Sequence, residues 1–316
     1  MAFLPAPVAA TRRAVRSGLS SLPRGSLVLV ACSGGADSLA LAAATGFVAP
    51  RLGLRAGLIT VDHGLQEGSA ERAAGVLSVF PDLSPTLAVR VEVVGPGGPE
   101  AAARNARYAA LEEAAGEHRA SAILLGHTRD DQAETVLLAL ARGAGPRGMS
   151  GMPQRRGLLL RPFLDVSRAE TRKACAALGL TVWNDPHNHD PAYARARVRA
   201  DLLPALIAAL GPAVVGNLAR TAGQLAADTE ALDALAAAEV RDELVVTDLS
   251  VLPDAIRTRV LHQWARRLGV SGGALSHRHV AAMDALITDW HGQGPAALPG
   301  GVLVARREGC LRRVDL

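Results

Sequence analysis

The first half of the chain alternates short apolar runs with longer helical patterns. Apolar runs over residues 27–31, 54–61, 87–94 and 122–126 are typical of buried strands, and a helix-forming stretch follows each of them. Strands that alternate with helices at this spacing indicate βαβ units and therefore a parallel sheet. The pattern predicts an α/β fold with a doubly wound, mainly parallel sheet.

The second half of the chain follows a different pattern. Residues 205–241 are rich in Ala and Leu with helical periodicity, which predicts a long helix or a helix pair. Two amphipathic helical stretches and short strand-like segments come after Arg241. We therefore expect an α/β domain over residues 1–204, a helical linker over 205–241 and a smaller C-terminal α+β domain over 242–316.

Composition narrows the class of protein. The 316 residues are 49% hydrophobic, enough for a substantial core, but only 3% are aromatic. So few aromatic side chains disfavour nucleic-acid binding through stacked bases. The formal net charge is +4, and Lys173 is the only lysine. Arginine suits phosphate contacts, but a coding bias toward arginine would give the same composition.

The cysteines and the N-terminal sequence indicate the cellular compartment of the protein. Cys32, Cys175 and Cys310 lie far apart without a CxxC pair, which indicates neither a disulfide framework nor a thiolate metal site. The N-terminus lacks the order of a signal peptide, and no apolar run is long enough to span a bilayer. We expect a cytoplasmic protein without a membrane segment. The oligomeric state stays open, and a homodimer is one candidate.

The segment SGGADS directly after the first predicted strand is the best candidate for ligand binding. Gly34 and Gly35 carry no side chains that would keep a phosphate from the backbone N–H groups. Ser33 and Ser38 can add hydroxyl donors, and Asp37 can face a magnesium ion. The segment has neither the lysine of the GxxxxGK loop nor the GxGxxG spacing. The alternative is a glycine-rich turn in an ordinary βα unit.

Two more polar clusters follow predicted strands. Asp62 and His63 come after the second strand, and a cluster that includes Asp131 and Glu134 comes after the fourth. Because ligands bind at the carboxyl ends of parallel strands, these clusters and the glycine loop predict one site. Asp131 and Glu134 share a helix face and can bind metal, hold an ammonium group or transfer a proton. The alternatives are a local Asx turn at Asp62 and a helix cap at Asp130.

Two groups of arginines are candidates for phosphate contacts. Arg104 and Arg107 share a predicted helix face near the same sheet edge. Arg195, Arg197 and Arg199 fall within five positions, a density that favours a polyanion. For both groups a solvated helix face is the alternative.

These motifs resemble a known family. SGGADS matches the SGGxDS signature of the N-type ATP pyrophosphatases, the PP-loop family, and further motifs occur in the order and spacing of its tRNA(Ile)-lysidine synthetase branch. Those motifs are VDHGL (61–65), ARNARY (103–108), GHTRDDQAET (126–135), RPFL (161–164), WNDPHNHD (183–190) and YARARVR (193–199). The chain departs from the usual pattern at Gln66, Thr128 and Ala196, where many members have Arg, His and Asn. The resemblance covers about residues 27–204 and implies a Rossmann-like PP-loop ATPase fold.

The resemblance implies a ligase that forms a carbon–nitrogen bond in two steps. ATP adenylates the carbonyl oxygen at C2 of the wobble cytidine in tRNA(Ile) with a CAU anticodon, and the ε-amine of free L-lysine then displaces AMP. ATP and Mg²⁺ are the implied cofactors. The part of the chain after Arg241 resembles the tRNA-contacting domain of the family only loosely.

The resemblance also implies roles for individual residues, with Asp37, His127, Asp131 and Glu134 as the catalytic set. ATP would be bound by the loop and by the end of the second strand, with Asp37 facing Mg²⁺: Ser33, Gly34, Gly35, Ala36, Asp37, Ser38, Asp62 and His63. Lysine or metal would be held by Asp131, Glu134 and Asp185. The adenylated intermediate would meet His127, Arg104 and Arg107. Phosphate or tRNA would meet Arg195 and Arg199.

Two alternatives to this function remain. One is another PP-loop tRNA-modifying enzyme such as a thiolase, which usually needs a persulfide cysteine or a cluster-binding CxxC. The other is a non-catalytic nucleotide-binding protein, which would keep the glycine loop but would not need the acids of residues 130–134.

Overall fold

The computed structural model describes residues 4–62, 64, 68–92, 99–184 and 190–314. The candidate site residues His63 and Asp185 lie outside the described residues. The chain forms two compact units, Met1–Gln224 and Leu225–Leu316.

The first unit contains six strands and a series of helices among its described residues. The strands are β1 (Leu27–Ala31), β2 (Arg55–Asp62), β3 (Thr86–Arg90), β4 (Ala122–Leu124), β5 (Arg155–Arg156) and β6 (Leu159–Leu160). The helices are α1 (Ala6–Leu19), α2 (Ala36–Val48), α3 (Ser69–Ser78), α4 (Pro99–Glu117), α5 (Arg129–Ala141), α6 (Pro146–Met149), α7 (Arg168–Ala177), α8 (Ala194–Arg197) and α9 (Leu203–Leu210), with a 3-10 turn at Pro50–Leu52 and a π-helical turn at Val198–Leu202. Helix α10 (Ala213–Glu239) begins in this unit.

The strands of the first unit form one sheet in the order β3-β2-β1-β4-β6-β5. All neighbours are parallel except the β5–β6 hairpin. The chain runs outward from β1 to β3 and then returns to place β4 on the other side of β1. The strand order therefore reverses between β1 and β4, and ligands of open α/β sheets bind at the carboxyl ends of strands at such a point. The doubly wound, mainly parallel fold is confirmed.

The core of this unit lies on both faces of the sheet, and β1 is therefore buried along its whole length. Val28 and Val30 face the layer that contains α1, α2 and α7. Leu27 and Leu29 face the opposite layer, which includes Leu111 of α4. Each such fully buried aliphatic side chain stabilises the fold by about 1.5–3 kcal/mol. This burial fixes β1, and with it the loop that follows.

The second unit is a separate α+β structure with its own core. Its antiparallel sheet has the order β7-β10-β9-β8, and Trp264 and Met283 are buried in the cluster beside it. The strands are β7 (Leu244–Val245), β8 (Ala296–Leu298), β9 (Val302–Arg307) and β10 (Cys310–Val314). The helices after α10 are α11 (Val246–Ser250), α12 (Asp254–Arg267) and α13 (His277–Thr288). The predicted α+β class of this region is confirmed.

Two details of the predicted elements are refined. The third strand, predicted over residues 87–94, is observed as β3 and ends at Arg90. Residues 93–98 lie outside the described ranges. The helical region predicted over 205–241 is a helix pair, α9 and α10, which separates at Gly211, a glycine with a φ of +84°.

Within the described ranges no single helix is long and apolar enough to cross a membrane. A sharply bent helix pair, Ala194–Leu210 and Ala213–Glu239, has the required length and apolar composition only when its two parts are taken together.

Gly57 in β2 tests the packing of the sheet. A Cβ at this position would lie 2.6 Å from the carbonyl oxygen of Pro85 and 2.8 Å from Cδ2 of Leu29. Because backbone must move to admit the methyl group, we expect Gly57→Ala to lower the free energy of unfolding by about 1–3 kcal/mol in urea denaturation. Gly223→Ala, in helix α10 with open space around it, should raise stability by about 0.5–1 kcal/mol. Equal effects of the two substitutions would contradict this packing.

Candidate active site

The glycine loop connects β1 to α2 and leaves the start of the helix open. Gly35 is the N-cap residue of α2, and no side chain caps the helix there. Gly34 has a φ of +84°, a conformation that favours glycine, and a Cβ on it would lie 2.9 Å from Cγ2 of Val76. The N–H groups of the first turn are thus free of a side-chain cap, as an anion site requires.

The two serines of the loop differ in their surroundings. Ser38 is buried, and its hydroxyl accepts a hydrogen bond from the Ser33 N–H (3.1 Å) while donating one to the Gly35 carbonyl (2.9 Å). Ser33 is exposed. Ser38 therefore shapes the loop from the inside, and the Ser33 hydroxyl is the one exposed to a ligand.

The end of β4 lies directly against this loop. A Cβ on Gly126 would lie 3.0 Å from the carbonyl carbon of Asp37 and 3.1 Å from the N atom of Ser38. Only a glycine lets the two backbones approach this closely. This contact brings the residues after β4 next to the glycine loop.

Helix α5 begins at that position with an acid-rich first turn. Thr128 is its N-cap, and one oxygen of Asp131 accepts hydrogen bonds from both the N–H and the hydroxyl of Thr128, each 2.8 Å long. Asp130 is not the cap; its carboxylate accepts from the Arg168 N–H at 2.8 Å. The helix is therefore capped by Thr128 and Asp131, and not by Asp130 as the alternative to a functional role expected. Asp130 instead links α5 to α7.

Three arginines surround the buried carboxylates of Asp131 and Glu134. Nη2 of Arg168 lies 2.9 Å from Oδ1 of Asp131 and 2.9 Å from Oε1 of Glu134. Arg199 contacts the same two oxygens, Nη2 at 3.2 Å from Asp131 and Nε at 2.8 Å from Glu134. Arg195 places Nε 3.4 Å from Oε2 of Glu134. Arg195 and Arg199, expected at phosphate or tRNA, here contact the acids.

These contacts favour the charged form of Asp131. Although burial opposes ionisation, Arg168 and the hydrogen bonds from Thr128 lower the pKa of Asp131. Although burial also disfavours the guanidinium, Asp131 and Glu134 raise the pKa of Arg168. A carboxylate pair of this kind can hold the ammonium group of a ligand if one arginine yields its place.

Asp37 is linked to the same network by α7. Its carboxyl group accepts a hydrogen bond from the Thr171 hydroxyl and lies 3.9 Å from Nε of Arg168. Burial, reinforced by the charge of Asp131, raises the pKa of Asp37 to about 6. A bound cation would favour its ionised form.

The donor set around Asp37 fits a magnesium ion that arrives with a nucleotide. No group of three or more His, Cys, Asp or Glu side chains that could hold a metal by itself occurs among the residues whose placement is described. Mg²⁺ bound to a nucleotide needs only one or two protein carboxylates because phosphates and water complete its shell. Asp37, partly exposed at the loop, can serve as that one carboxylate.

Arg168 is the residue of this site that the sequence patterns did not single out, because it lies outside the polar clusters and the arginine groups. In the structure it follows Ser167, which forms a capping box with Glu170 at the start of α7. A signal was nevertheless present. An arginine in the first turn opposes the helix dipole, so its position is not explained by the stability of α7 itself.

His127 lies on the cationic side of the site. Burial, together with Arg161, Arg107 and Arg195 and against the charge of Asp131, lowers the pKa of His127 to about 3. The imidazole is therefore neutral near pH 7, and its buried Nδ1 has no hydrogen-bond partner among the described residues. This makes His127 a hydrogen-bonding group for a ligand and a poor general base.

The remaining arginine candidates lie near Tyr108. Burial lowers the pKa of Arg107, whose guanidinium interacts electrostatically with the thiol of Cys32 beside the loop. Arg104 lies 5.3 Å and Arg156 6.0 Å from the centroid of the Tyr108 ring. These cations face no carboxylate among their recorded contacts, which suits an anionic ligand.

Asp62 forms the local Asx turn that the sequence offered as the alternative to a role in ligand binding. Its Oδ1 accepts a hydrogen bond of 2.9 Å from the Gly64 N–H. This Asx turn holds the end of β2, and it leaves the expected contact with adenosine a prediction.

Glu134 tests the charge balance of the network. Glu134→Gln removes the fully buried charge that three half-buried arginines share, so we expect the free energy of unfolding to fall by about 3 kcal/mol in urea denaturation. Glu112→Gln, at an exposed position of α4, is the matched control and should change stability by less than about 0.5 kcal/mol. A loss no larger than the control would show that the network does not depend on Glu134.

Asp37 predicts a pH-dependent difference in stability. Because its pKa is raised to about 6, the folded protein binds this proton more tightly than the unfolded chain; the stabilisation is present below about pH 4 and lost as the pH rises through 6. Asp37→Asn should therefore exceed the wild type in unfolding free energy at pH 8, by up to about 3 kcal/mol, and match it near pH 4. The measurement is urea denaturation in EDTA, with Asp82→Asn at an exposed position as the control. A difference independent of pH would contradict the shift.

Comparisons with known families agree with the two-unit structure. A PP-loop domain family matches residues 11–206, and the family described as TilS substrate binding domain matches residues 244–312. A solved structure, the U34-tRNA thiolase NcsA from Methanococcus maripaludis with its 4Fe-4S cluster, is similar with a TM-score of 0.58 at 18% identity. That similarity covers 70% of this chain and 80% of the thiolase, and it supports the fold alone.

Similar proteins of known name cover nearly the whole chain. A tRNA(Ile)-lysidine synthase from Salinispora tropica is 65% identical over 328 residues, which cover 100% of this chain and 98% of that protein. One from Thermobifida fusca is 56% identical and covers 96% of this chain and 97% of its own length. One from Mycobacterium tuberculosis is 45% identical and covers 89% of each chain. With these similarities and the PP-loop geometry between β1 and β4, the chain belongs to the tRNA(Ile)-lysidine synthase family of PP-loop proteins.

Proposed function

We propose that the protein converts the wobble cytidine of tRNA(Ile) with a CAU anticodon to lysidine, using ATP and free L-lysine. The observation that carries the proposal is the placement of an uncapped phosphate loop and a buried carboxylate pair at one strand-order reversal. The first suits a nucleotide and the second suits an amine. The relatives named tRNA(Ile)-lysidine synthase support the same activity.

The first half of the proposed reaction activates the cytidine. The C2 carbonyl is a poor electrophile, so its oxygen attacks the α-phosphorus of ATP and pyrophosphate leaves. The N–H groups at the start of α2 and the Ser33 hydroxyl would bind the phosphates as charge moves onto the leaving group. Mg²⁺ held with the nucleotide at Asp37 would neutralise part of that charge.

The second half transfers lysine. The ε-ammonium first loses a proton to water, and the resulting amine attacks C2. AMP leaves with the carbonyl oxygen, so one carbon–nitrogen bond forms as one carbon–oxygen bond breaks. Asp131 and Glu134 would hold and orient the lysine. His127, neutral and with an unpartnered Nδ1, would donate or accept a hydrogen bond at the adenylated base. Arg104 and Arg107 would contact its phosphate.

Recognition of the tRNA is assigned to the rest of the chain. The match of residues 244–312 to a substrate-binding domain supports a tRNA-contacting role for the proposed C-terminal domain, residues 242–316, joined through the linker at 205–241 to the catalytic domain at 1–204. We place the reaction in the cytoplasm because tRNA, ATP and free lysine meet there.

The two other functions have less support. Thiolation would require a reactive sulfur, but burial raises the pKa of Cys32 and raises that of Cys175 to about 11, so both are neutral thiols. A non-catalytic nucleotide-binding protein would have no use for Asp131 and Glu134, whose burial is costly without a function.

The direct test measures incorporation of radiolabelled L-lysine into tRNA(Ile) transcripts. We expect ATP-dependent incorporation into the CAU transcript and none when the wobble cytidine is replaced by uridine. Asp37→Ala should lower lysine-independent pyrophosphate release by at least about 100-fold, because phosphate charge loses its counterpart. Affinity for the tRNA should stay within about twofold, since Asp37 would contact no tRNA phosphate.

Asp82→Ala, at an exposed position, is the control and should match the wild type in both assays. Nucleotide binding without lysine incorporation would overturn the proposed function. An equal loss of tRNA affinity in Asp37→Ala would show that Asp37 acts on the fold of the site.

A further inference from the structure

We infer that Arg168 is a positioning residue that holds the carboxylates of Asp131 and Glu134 together as one binding site for the ammonium group of lysine. The inference rests on the proposed function. It concerns a residue outside the sequence motifs that carry the family resemblance.

The geometry at Arg168 is that of a bridge. One nitrogen, Nη2, lies 2.9 Å from Oδ1 of Asp131 and 2.9 Å from Oε1 of Glu134. The two acids are three residues apart on α5, so their charges repel each other across one helix face. A cation shared between them sets the distance between the two oxygens, which cannot exceed the sum of the two contacts. Arg168 therefore defines the space that a second cation can enter.

The backbone of Arg168 is held in place on several sides. Its N–H donates to Asp130 at 2.8 Å, and the preceding Ser167 forms the capping box of α7 with Glu170. One turn further along α7, Thr171 donates to Asp37. The guanidinium thus extends from a fixed helix end that also contacts the phosphate-loop acid.

Arg199 occupies the same carboxylates in a different way. It belongs to the π-helical turn Val198–Leu202, and its side chain is 29% exposed, compared with 17% for Arg168. We assign Arg199 to the position that an incoming ammonium takes over, because it is the more exposed of the two. Arg168 stays bound and keeps the carboxylates at the required spacing.

The cost of the position supports this assignment. An arginine in the first turn of a helix interacts unfavourably with the positive end of the helix dipole. Arg172, on the same helix, is exposed, and its side chain forms no hydrogen bond or ion pair with the residues that the structure describes. The first-turn arginine is therefore explained by its two carboxylate contacts and not by helix stability.

Arg168→Gln tests the inference, with Arg172→Gln as the matched control on the same helix. In lysine incorporation we expect Arg168→Gln to raise the KM for lysine at least about tenfold, since the two carboxylates repel each other and lose their fixed spacing without the bridging guanidinium. The KM for ATP and the lysine-independent release of pyrophosphate should stay within about twofold. Arg172→Gln should match the wild type in all three.

A second readout does not depend on turnover. L-lysine should raise the thermal midpoint of the wild type and of Arg172→Gln by stabilising the folded state, and should shift that of Arg168→Gln far less. Arg168→Lys keeps one cation with three donors, so it should recover part of both the KM and the thermal shift.

Several results would overturn the inference. A parallel rise of the KM for lysine and for ATP with a lowered midpoint, not relieved in Arg168→Lys, would show a purely structural role. An unchanged thermal response to L-lysine in Arg168→Gln would show that Arg168 does not shape the lysine site. Failure of the wild type to incorporate lysine would instead overturn the proposed function, and the thermal response to L-lysine separates these two failures.

Discussion

The close placement of three carboxylates, two of them buried, is the constraint on which the site depends. Asp131 and Glu134 are buried and Asp37 is partly exposed, and all three lie at the carboxyl ends of β1 and β4. Carboxylates in such a place are stable only when cations lie beside them. The cations come from Arg168 on α7 and from Arg195 and Arg199 further along the chain. Segments far from the sheet in sequence are thereby held at the site.

The same region also has a cationic side. His127 is neutral, and Arg107 and Arg161 lie near it without a carboxylate partner among their recorded contacts. The uncapped start of α2 adds N–H donors. The side with Asp131 and Glu134 suits an amine. The side with Arg107, Arg161 and the N–H donors of α2 suits a phosphate. Under the proposed function, lysine and the adenylated base would meet between them.

The sequence was sufficient for the fold and for much of the site because both depend on local patterns. From neighbouring residues alone, the run over residues 27–31 could be recognised as a buried strand and SGGADS as the turn that leads into a helix. The spacing of Asp131 and Glu134 placed them on one helix face in the same way. The order of strands and helices predicted the parallel sheet that the structure confirms.

The remaining features depend on contacts between residues distant in the chain. The bond of Arg168 to Asp131 joins positions 37 residues apart, and that of Arg199 to Glu134 joins positions 65 apart. Burial, which makes His127 neutral, also needs the folded chain. Ser38 could be predicted near phosphate, but its inward hydrogen bonds follow from the conformation of the loop.

A crystal structure with L-lysine and a non-hydrolysable ATP analogue tests the central claim most directly. The account predicts one ammonium group of lysine within hydrogen-bond distance of both Asp131 and Glu134, with Arg168 still bound to them and Arg199 moved away. The phosphates would lie at the start of α2. Lysine bound elsewhere, with both arginines still on the carboxylates, would contradict it.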